Sequence, residues 1–437
     1  MSKNHYDVIV VGAGFSGLTA ARELSNRGHK TLILEGRDRM GGRTWVDHRM
    51  GKDLEMGGTY VHWFQPHIWA EITRYGLELQ EVPTLESAHW ITNGELKTGT
   101  RDEMFAKINE GMEVFLQDAL EYFPRPFDPF FAEDKVKEID HQSVEDRLKE
   151  IESEISQETM DLIRGEWSAY FDTKDLTIPA LTQAYRFGAL AYNNWYMLED
   201  IFELYKFKNG TKSLIESIYN DGQAELKLST PVAKIEKTDA LHTVTTRDGE
   251  EYTAKAVITA IPINVLNDIE FEPRLLEEKH QLSEEKQTTD NGAKLWARVK
   301  GLESTALLSG PATLPSGSLH TDTVDGDEGY IMGYVTDIAN LDMEKAEDVE
   351  KLLRNWLPEI EVLESTGHNW TEDEFSKGTW GILRVNQLSK YGRAVRQSED
   401  GLYLAGSDFA DGWAGFMDGA IESGLKTGRR VHEYLTK

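Results

Sequence analysis

Three glycines, Gly12, Gly14 and Gly17, stand in GxGxxG spacing within "VVGAGFSG". A turn without Cβ atoms lets backbone N–H groups approach a pyrophosphate closely, so this pattern points to dinucleotide binding. Phe15 and Ser16 lie inside the same turn, and Glu35 with Gly36 follows about 20 residues on, where an acid can accept hydrogen bonds from a ribose. Gly41 and Gly42, flanked by Arg37, Arg39 and Arg43, add a second bare and positively charged stretch. The dinucleotide could be NAD or FAD. The second glycine pair and its arginines argue for FAD, because they suit a longer pyrophosphate and flavin contact.

These residues need particular elements to position them. The apolar run Val8 to Val11 predicts a parallel strand covered on both faces. Leu18, Ala21 and Leu24 predict a helix that Gly28 ends, and Thr31 to Leu34 predicts a second strand leading into Glu35. Strand, glycine turn, helix, strand and acid all fall in place. "HTVTTRDGEEYTAKAVITAIP" predicts a hairpin turning at Asp248-Gly249, followed by a buried strand that ends at Pro262. Met104, Phe105, Ile108, Met112, Phe115, Leu116, Ala119 and Phe123 recur at helical spacing and read as core. "SVED" at Ser143 has the form of a capping box opening a long charged helix. Near the C-terminus, "SDFADGWAGFMDGAIESG" places Gly412, Gly415, Gly419 and Gly424 in what reads as the opening of a last helix. Each glycine costs about 1 kcal/mol there relative to alanine, so the bare backbone should serve a purpose.

Composition narrows the function classes. A chain of 437 residues, 39% of them hydrophobic, can bury a large core and suggests two or more domains. Its 76 acidic against 47 basic residues give a formal charge of −29, which repels nucleic acid and anionic membrane. Most of that charge reads as a well-solvated surface. The absence of cysteine removes disulfides, thiolate metal sites, cysteine nucleophiles and thioether-linked cofactors together, and no metal site is expected. "MSKNHYD" has no cationic and apolar leader and no run approaches 18 apolar residues, so a cytoplasmic protein without a membrane span is expected.

From the GGR loop onward the sequence resembles the flavin-dependent amine oxidase family, which includes monoamine oxidases, polyamine oxidases and bacterial 6-hydroxynicotine oxidases. "LEMGGTYVHW" resembles the family segment that lies against the flavin, carrying Gly57, Gly58 and Thr59. "LSTPVAKIEK" resembles the returning flavin-domain segment, where the backbone at Val232 would meet the adenine, and "FEPRL" at Phe271 resembles the exit from it. "NGAKLWARVKG" carries Lys294, and the resemblance implies a lysine that holds a water against flavin N5. "WTEDEFSKGTWGILRVNQLSKYGR" looks most like the hydroxynicotine oxidase branch and makes Trp380 one wall of an aromatic cage. "GLYLAGSDFADGWAGFMDGAIESG" resembles the family's closing flavin motif. There the resemblance gives Gly406, Ser407, Gly415 and Met417 to the cofactor, Asp408 to the ribityl chain and Phe416 to the second cage wall. The glycines would let a helix N-terminus lie on the isoalloxazine edge and stabilise the anion formed on reduction.

The expected fold is α/β, a Rossmann-type FAD-binding domain (1–80, 206–285 and 390–437) with a discontinuous α+β substrate domain (81–205 and 286–389). The implied reaction is oxidation of a small amine by hydride transfer to noncovalent FAD, with molecular oxygen as the final acceptor and a homodimer left open. Lys294, Trp380 and Phe416 are the expected catalytic residues. Phe416 departs from the tyrosine common at its place. An amine dehydrogenase with another acceptor, a flavin enzyme acting on a non-amine, a nicotinamide enzyme and a non-catalytic dinucleotide sensor are the alternatives. The stretch from Ala169 to Trp195 shows no motif tied to one substrate, and His320 is a candidate cavity residue.

Overall fold

The strand His5–Val11 is buried from Val8 onward and lies inside a sheet. It pairs in parallel with Thr31–Leu34 on one side and Glu251–Thr259 on the other, as its unbroken apolar run requires. The computed structural model describes residues 4–238, 240–289 and 291–437. Among these, eight strands form this first sheet, extended by Glu225–Lys227 at one edge and by Leu241–Thr246, Val232–Thr238 and Glu270–Glu272 at the other, with Leu402–Leu404 pairing alongside Glu251–Thr259. The expected hairpin at Asp248-Gly249 is present, and Gly249 takes the left-handed conformation its turn needs. The helix Phe15–Ser25 packs against the long C-terminal helix Met417–Leu435.

A second sheet of seven strands has the order Glu361–Asn369, Ala293–Lys300, Glu328–Val335, Ser318–Asp325, Ala306–Ser309, Ser87–Thr92, Glu95–Gly99. Helices between residues 101 and 203 bury a large apolar cluster that includes the whole stripe from Met104 to Phe123, so the core reading of that stripe holds. A small sheet of Tyr60–Val61, Tyr205–Phe207 and Leu79–Glu81 lies where the chain passes between the segments that build the two large sheets. No helix among the described residues is long and apolar enough to cross a membrane.

Two local expectations need correction. Ser143 does close a capping box with Asp146, but the helix it opens is only Val144–Glu150. Ser156 caps a separate helix, Gln157–Tyr170, and this second cap divides the charged run. The C-terminal glycines are also not all helix-opening residues. The last helix starts at Met417, so Gly412 and Gly415 precede it, while Gly419 and Gly424 sit inside. A Cβ on Gly424 would fall 2.5 Å from the Ser16 carbonyl oxygen, and one on Gly419 would fall 2.1 Å from that of Trp413. These two glycines allow close packing of the final helix against neighbouring backbone.

Candidate active site

Gly12 has a φ of +104°, and a Cβ there would meet the Ala260 carbonyl oxygen at 2.6 Å. A Cβ on Gly17 would sit 2.1 Å from the Gly12 oxygen. The first glycine turn is therefore closed by its own backbone, with Gly17 behind it rather than on its open side. Gly14 occupies the helix N-cap and supplies no side-chain cap, which leaves the first N–H groups of an 11-residue helix facing outward. Ser16 Oγ is buried beside them without a hydrogen-bond partner among the described residues. An uncapped helix N-terminus, an orphaned hydroxyl and bare glycines together fit a pyrophosphate. Glu35 closes the end of the neighbouring strand and accepts from Ala13 N–H at 2.6 Å and Arg37 N–H at 2.9 Å.

The next segments are tied onto this turn in sequence. Gly41 N–H donates to the Ala13 carbonyl at 2.9 Å, and Gly58 N–H to that of Arg43 at 3.1 Å. Arg43 donates to Thr379 O (3.0 Å), Ser407 Oγ (2.9 Å) and Asp408 Oδ1 (2.6 Å), tying two distant segments to its own loop. One cavity of about 280 Å³ runs along these segments. It is lined by Gly12, Gly14, Phe15, Ser16, Glu35, Gly36, Arg37, Gly41, Gly42, Arg43, Gly57, Gly58, Thr59 and Val232 from the N-terminal side, and by Gly406, Ser407, Gly415, Phe416 and Met417 from the C-terminal motif. Gly17 and Asp408 lie behind its wall. Asp408 is engaged by Arg43 and by the Ile263 N–H instead. Arg37 pairs with Asp373 and lies over Phe375, whereas Arg39 donates to the carbonyls of Met40, Gly42 and Thr44 and braces the loop from within.

The far end of the cavity is aromatic and contains Lys294. This lysine lies on Ala293–Lys300, an interior strand of the second sheet, and is only 4% exposed. Its Nζ donates to Gly57 O at 2.9 Å and Thr59 Oγ1 at 2.6 Å, so the second sheet touches the glycine segment of the first unit through this side chain. Burial pushes its amine down to about 8, against the opposing pull of nearby Glu55 and Asp322. Trp380 donates through Nε1 to Tyr170 O at 3.1 Å and meets Tyr334 edge-on at 5.8 Å. Phe416 precedes the last helix and packs against Phe187 (5.6 Å), Phe202 (5.2 Å) and Trp413 (5.3 Å). Trp380 and Phe416 make no ring contact with each other, yet both line the cavity.

The family model for flavin-containing amine oxidoreductase matches residues 15–432. The chain belongs to that family. It is similar to a pseudooxynicotine dehydrogenase from Pseudomonas sp, with 37% identity over 98% of this chain and 87% of the relative. It is also similar to the (S)-6-hydroxynicotine oxidase of Paenarthrobacter nicotinovorans, with 28% identity over 96% of this chain and 97% of the relative. Wild-type putrescine oxidase bound to putrescine shares the fold, with a TM-score of 0.82 and 22% identity over 98% of this chain and 99% of that one. The chain is thus a flavin-dependent oxidoreductase of the amine oxidase fold, in keeping with the resemblance drawn from its motifs.

Several cavity residues carry no sequence signal of their own. Tyr170, Asp172, Phe202, Glu203 and Tyr334 all line the aromatic end. Burial pushes the Glu203 carboxyl up to about 7 and that of its helix neighbour Glu199 up to about 8, and Tyr170 donates to Glu199 at 2.6 Å. His320 does not line the main cavity. It sits in a small adjoining one with Glu203, where its Nε2 lies 3.1 Å from the Tyr60 hydroxyl and burial pushes the ring down to about 4.

Proposed function

We propose that this enzyme oxidises a small amine at the aromatic end of the cavity, using noncovalently bound FAD. The observation that carries the reading is the meeting of buried Lys294 with Gly57 and Thr59 in the cavity that Trp380 and Phe416 also line. When bound, FAD supplies a two-electron acceptor that takes a hydride from the amine α-carbon at N5, yielding an imine that hydrolyses and electrons that pass to molecular oxygen as hydrogen peroxide. The chain's own residues do the rest. The glycine turn and Glu35 hold the dinucleotide end, Trp380 and Phe416 exclude water and align a neutral amine, and Lys294 keeps a donor for a water beyond the two it gives to Gly57 and Thr59. Residues 1–80, 206–285 and 390–437 then form the FAD-binding domain, and residues 81–205 and 286–389 the substrate domain. No cysteine is present to form a thioether to the flavin.

The names of the two sequence relatives make nicotine-related amines the first compounds to assay. A purified yellow protein that releases intact FAD on acid precipitation, and whose flavin bleaches anaerobically with an amine, is the expected result. Flavin left on the precipitated chain, or a flavin that no amine bleaches, would refute the proposal. A second reading is favoured by the relative named a dehydrogenase. Electrons would then pass to an acceptor other than oxygen, and the reduced enzyme would reoxidise slowly in air but quickly with an artificial one-electron acceptor.

A further inference from the structure

Asp172 is fully buried in the cavity wall, and neither of its carboxyl oxygens has a hydrogen-bond partner among the described residues, although Thr379 lies against it. Its backbone is anchored. Its N–H donates to Ala169 O at 3.2 Å, and its carbonyl accepts from Thr289 Oγ1 at 2.8 Å. The residue follows the helix Gln157–Tyr170 with a φ of +51°, in the left-handed position where helices usually place glycine or asparagine. Gly292 is bare beneath it, since a Cβ there would fall 2.1 Å from Asp172 Oδ2. An acid here meets desolvation and the negative end of a helix at once. Burial accordingly pushes its carboxyl well above the usual range. A side chain without charge would have no ion to desolvate and none to set against the helix end, so a group outside the chain should complete this site.

We propose that Asp172 forms a subsite for a second basic nitrogen of the substrate, so that the enzyme selects amines with two basic nitrogens over amines with one. This rests on the amine-oxidising reading above. The chemistry is a single proton shared between a carboxyl oxygen and a nitrogen. An uncharged ring nitrogen accepts it from the acid, whereas an ammonium keeps it and the carboxyl first releases its own proton to solvent. Tyr334, whose hydroxyl is raised chiefly by burial and further by nearby Glu203 and Asp172, lines the same cavity and adds no cation. The second nitrogen therefore meets an acidic surround, with Lys294 near the reacting end.

Two isosteric pairs test this, butane-1,4-diamine against pentylamine and 4-(pyridin-3-yl)butylamine against 4-phenylbutylamine, each in anaerobic stopped-flow reduction of the FAD-loaded enzyme. In at least one pair the dibasic amine should reduce the flavin more efficiently by about tenfold, the worth of one charge-assisted hydrogen bond. The pair that discriminates tells an ammonium from a ring nitrogen. Asp172→Asn tolerates the left-handed backbone and should bring that ratio to within about twofold, leaving the monobasic partner nearly unchanged. Asp172→Ser gives an independent removal of the acid. Equal rates within both pairs of the wild type, or a preference that survives both substitutions, would overturn the subsite. Equal slowing of monobasic and dibasic amines would overturn it too, by assigning Asp172 to the reacting nitrogen. If no amine bleaches the flavin, the amine reading itself fails, and binding of the same pairs, followed by perturbation of flavin absorbance, still shows whether Asp172 discriminates between them.

Discussion

Replacing Lys294 by methionine changes both a titration and a hydrogen-bond pair, and the two effects separate with pH. In the unfolded chain this amine titrates near 10.5, and in the folded protein burial lowers it to about 8. Between those values the unfolded chain holds more protons, so wild-type stability rises as pH climbs through the window, by about 3 kcal/mol in all. Below the window the whole penalty of burying the ammonium is present. Lys294→Met removes that penalty but strips a donor from Gly57 O and Thr59 Oγ1, at a cost of about 1–3 kcal/mol. Near neutral pH the two terms roughly cancel. Between neutral pH and pH 10 the balance should shift by about 2 kcal/mol toward the wild type, because its amine is then mostly neutral while the variant still lacks the donor. Denaturant unfolding of both proteins at the two pH values measures the difference directly, since other titrations are common to both. The same variant should keep its flavin and slow one half-reaction by about a hundredfold in stopped flow. A stability difference that does not move with pH would refute the argument from burial, and unchanged rates in both halves would leave this lysine a structural strut.

Trp380→Ala and Phe416→Ala should each slow anaerobic flavin reduction by about a hundredfold, because a displacement of about 1 Å at the α-carbon is enough. The double variant should cost less than the sum of the two, Phe416→Tyr should be mild, and strict additivity would mark these rings as core packing. Glu35→Ala removes the acceptor of two backbone N–H groups as well as the proposed ribose contact, so flavin affinity should fall by about ten- to a hundredfold, measured by titration of the apoprotein. Gly17→Ala would drive a Cβ to 2.1 Å from the Gly12 oxygen, so the protein should purify with little flavin. A full complement of bound flavin would show that the turn can relax.

Much of the cofactor end was legible because its signals are local. A φ of +104° at Gly12, a hairpin at Asp248-Gly249 and an apolar strand from Val8 to Val11 each follow from residue types a few positions apart. The capping box at Ser143 was equally local, but the length of its helix was not, since Ser156 starts another within a few residues. The motif at Gly415 to Met417 was readable by resemblance, while the work of Gly419 and Gly424 was not, because what a missing Cβ makes room for lies on other segments.

The sequence by itself determined the family, the strand-turn-helix unit and the stretches that line the cavity. Only the tertiary structure decided which charged groups lose their water. Lys294 is perturbed because the packing of the second sheet against the Gly57–Thr59 segment, far away in the chain, takes its amine out of water, and Asp172 because its carboxyl is buried with only the Thr379 side chain to offset the loss. Resemblance alone singled out Lys294 in the sequence, and Asp172 carried no signal there at all. Desolvation is set by every neighbour at once, and those neighbours are brought together only when two sheets and their helices pack, so no spacing pattern along the chain encodes it.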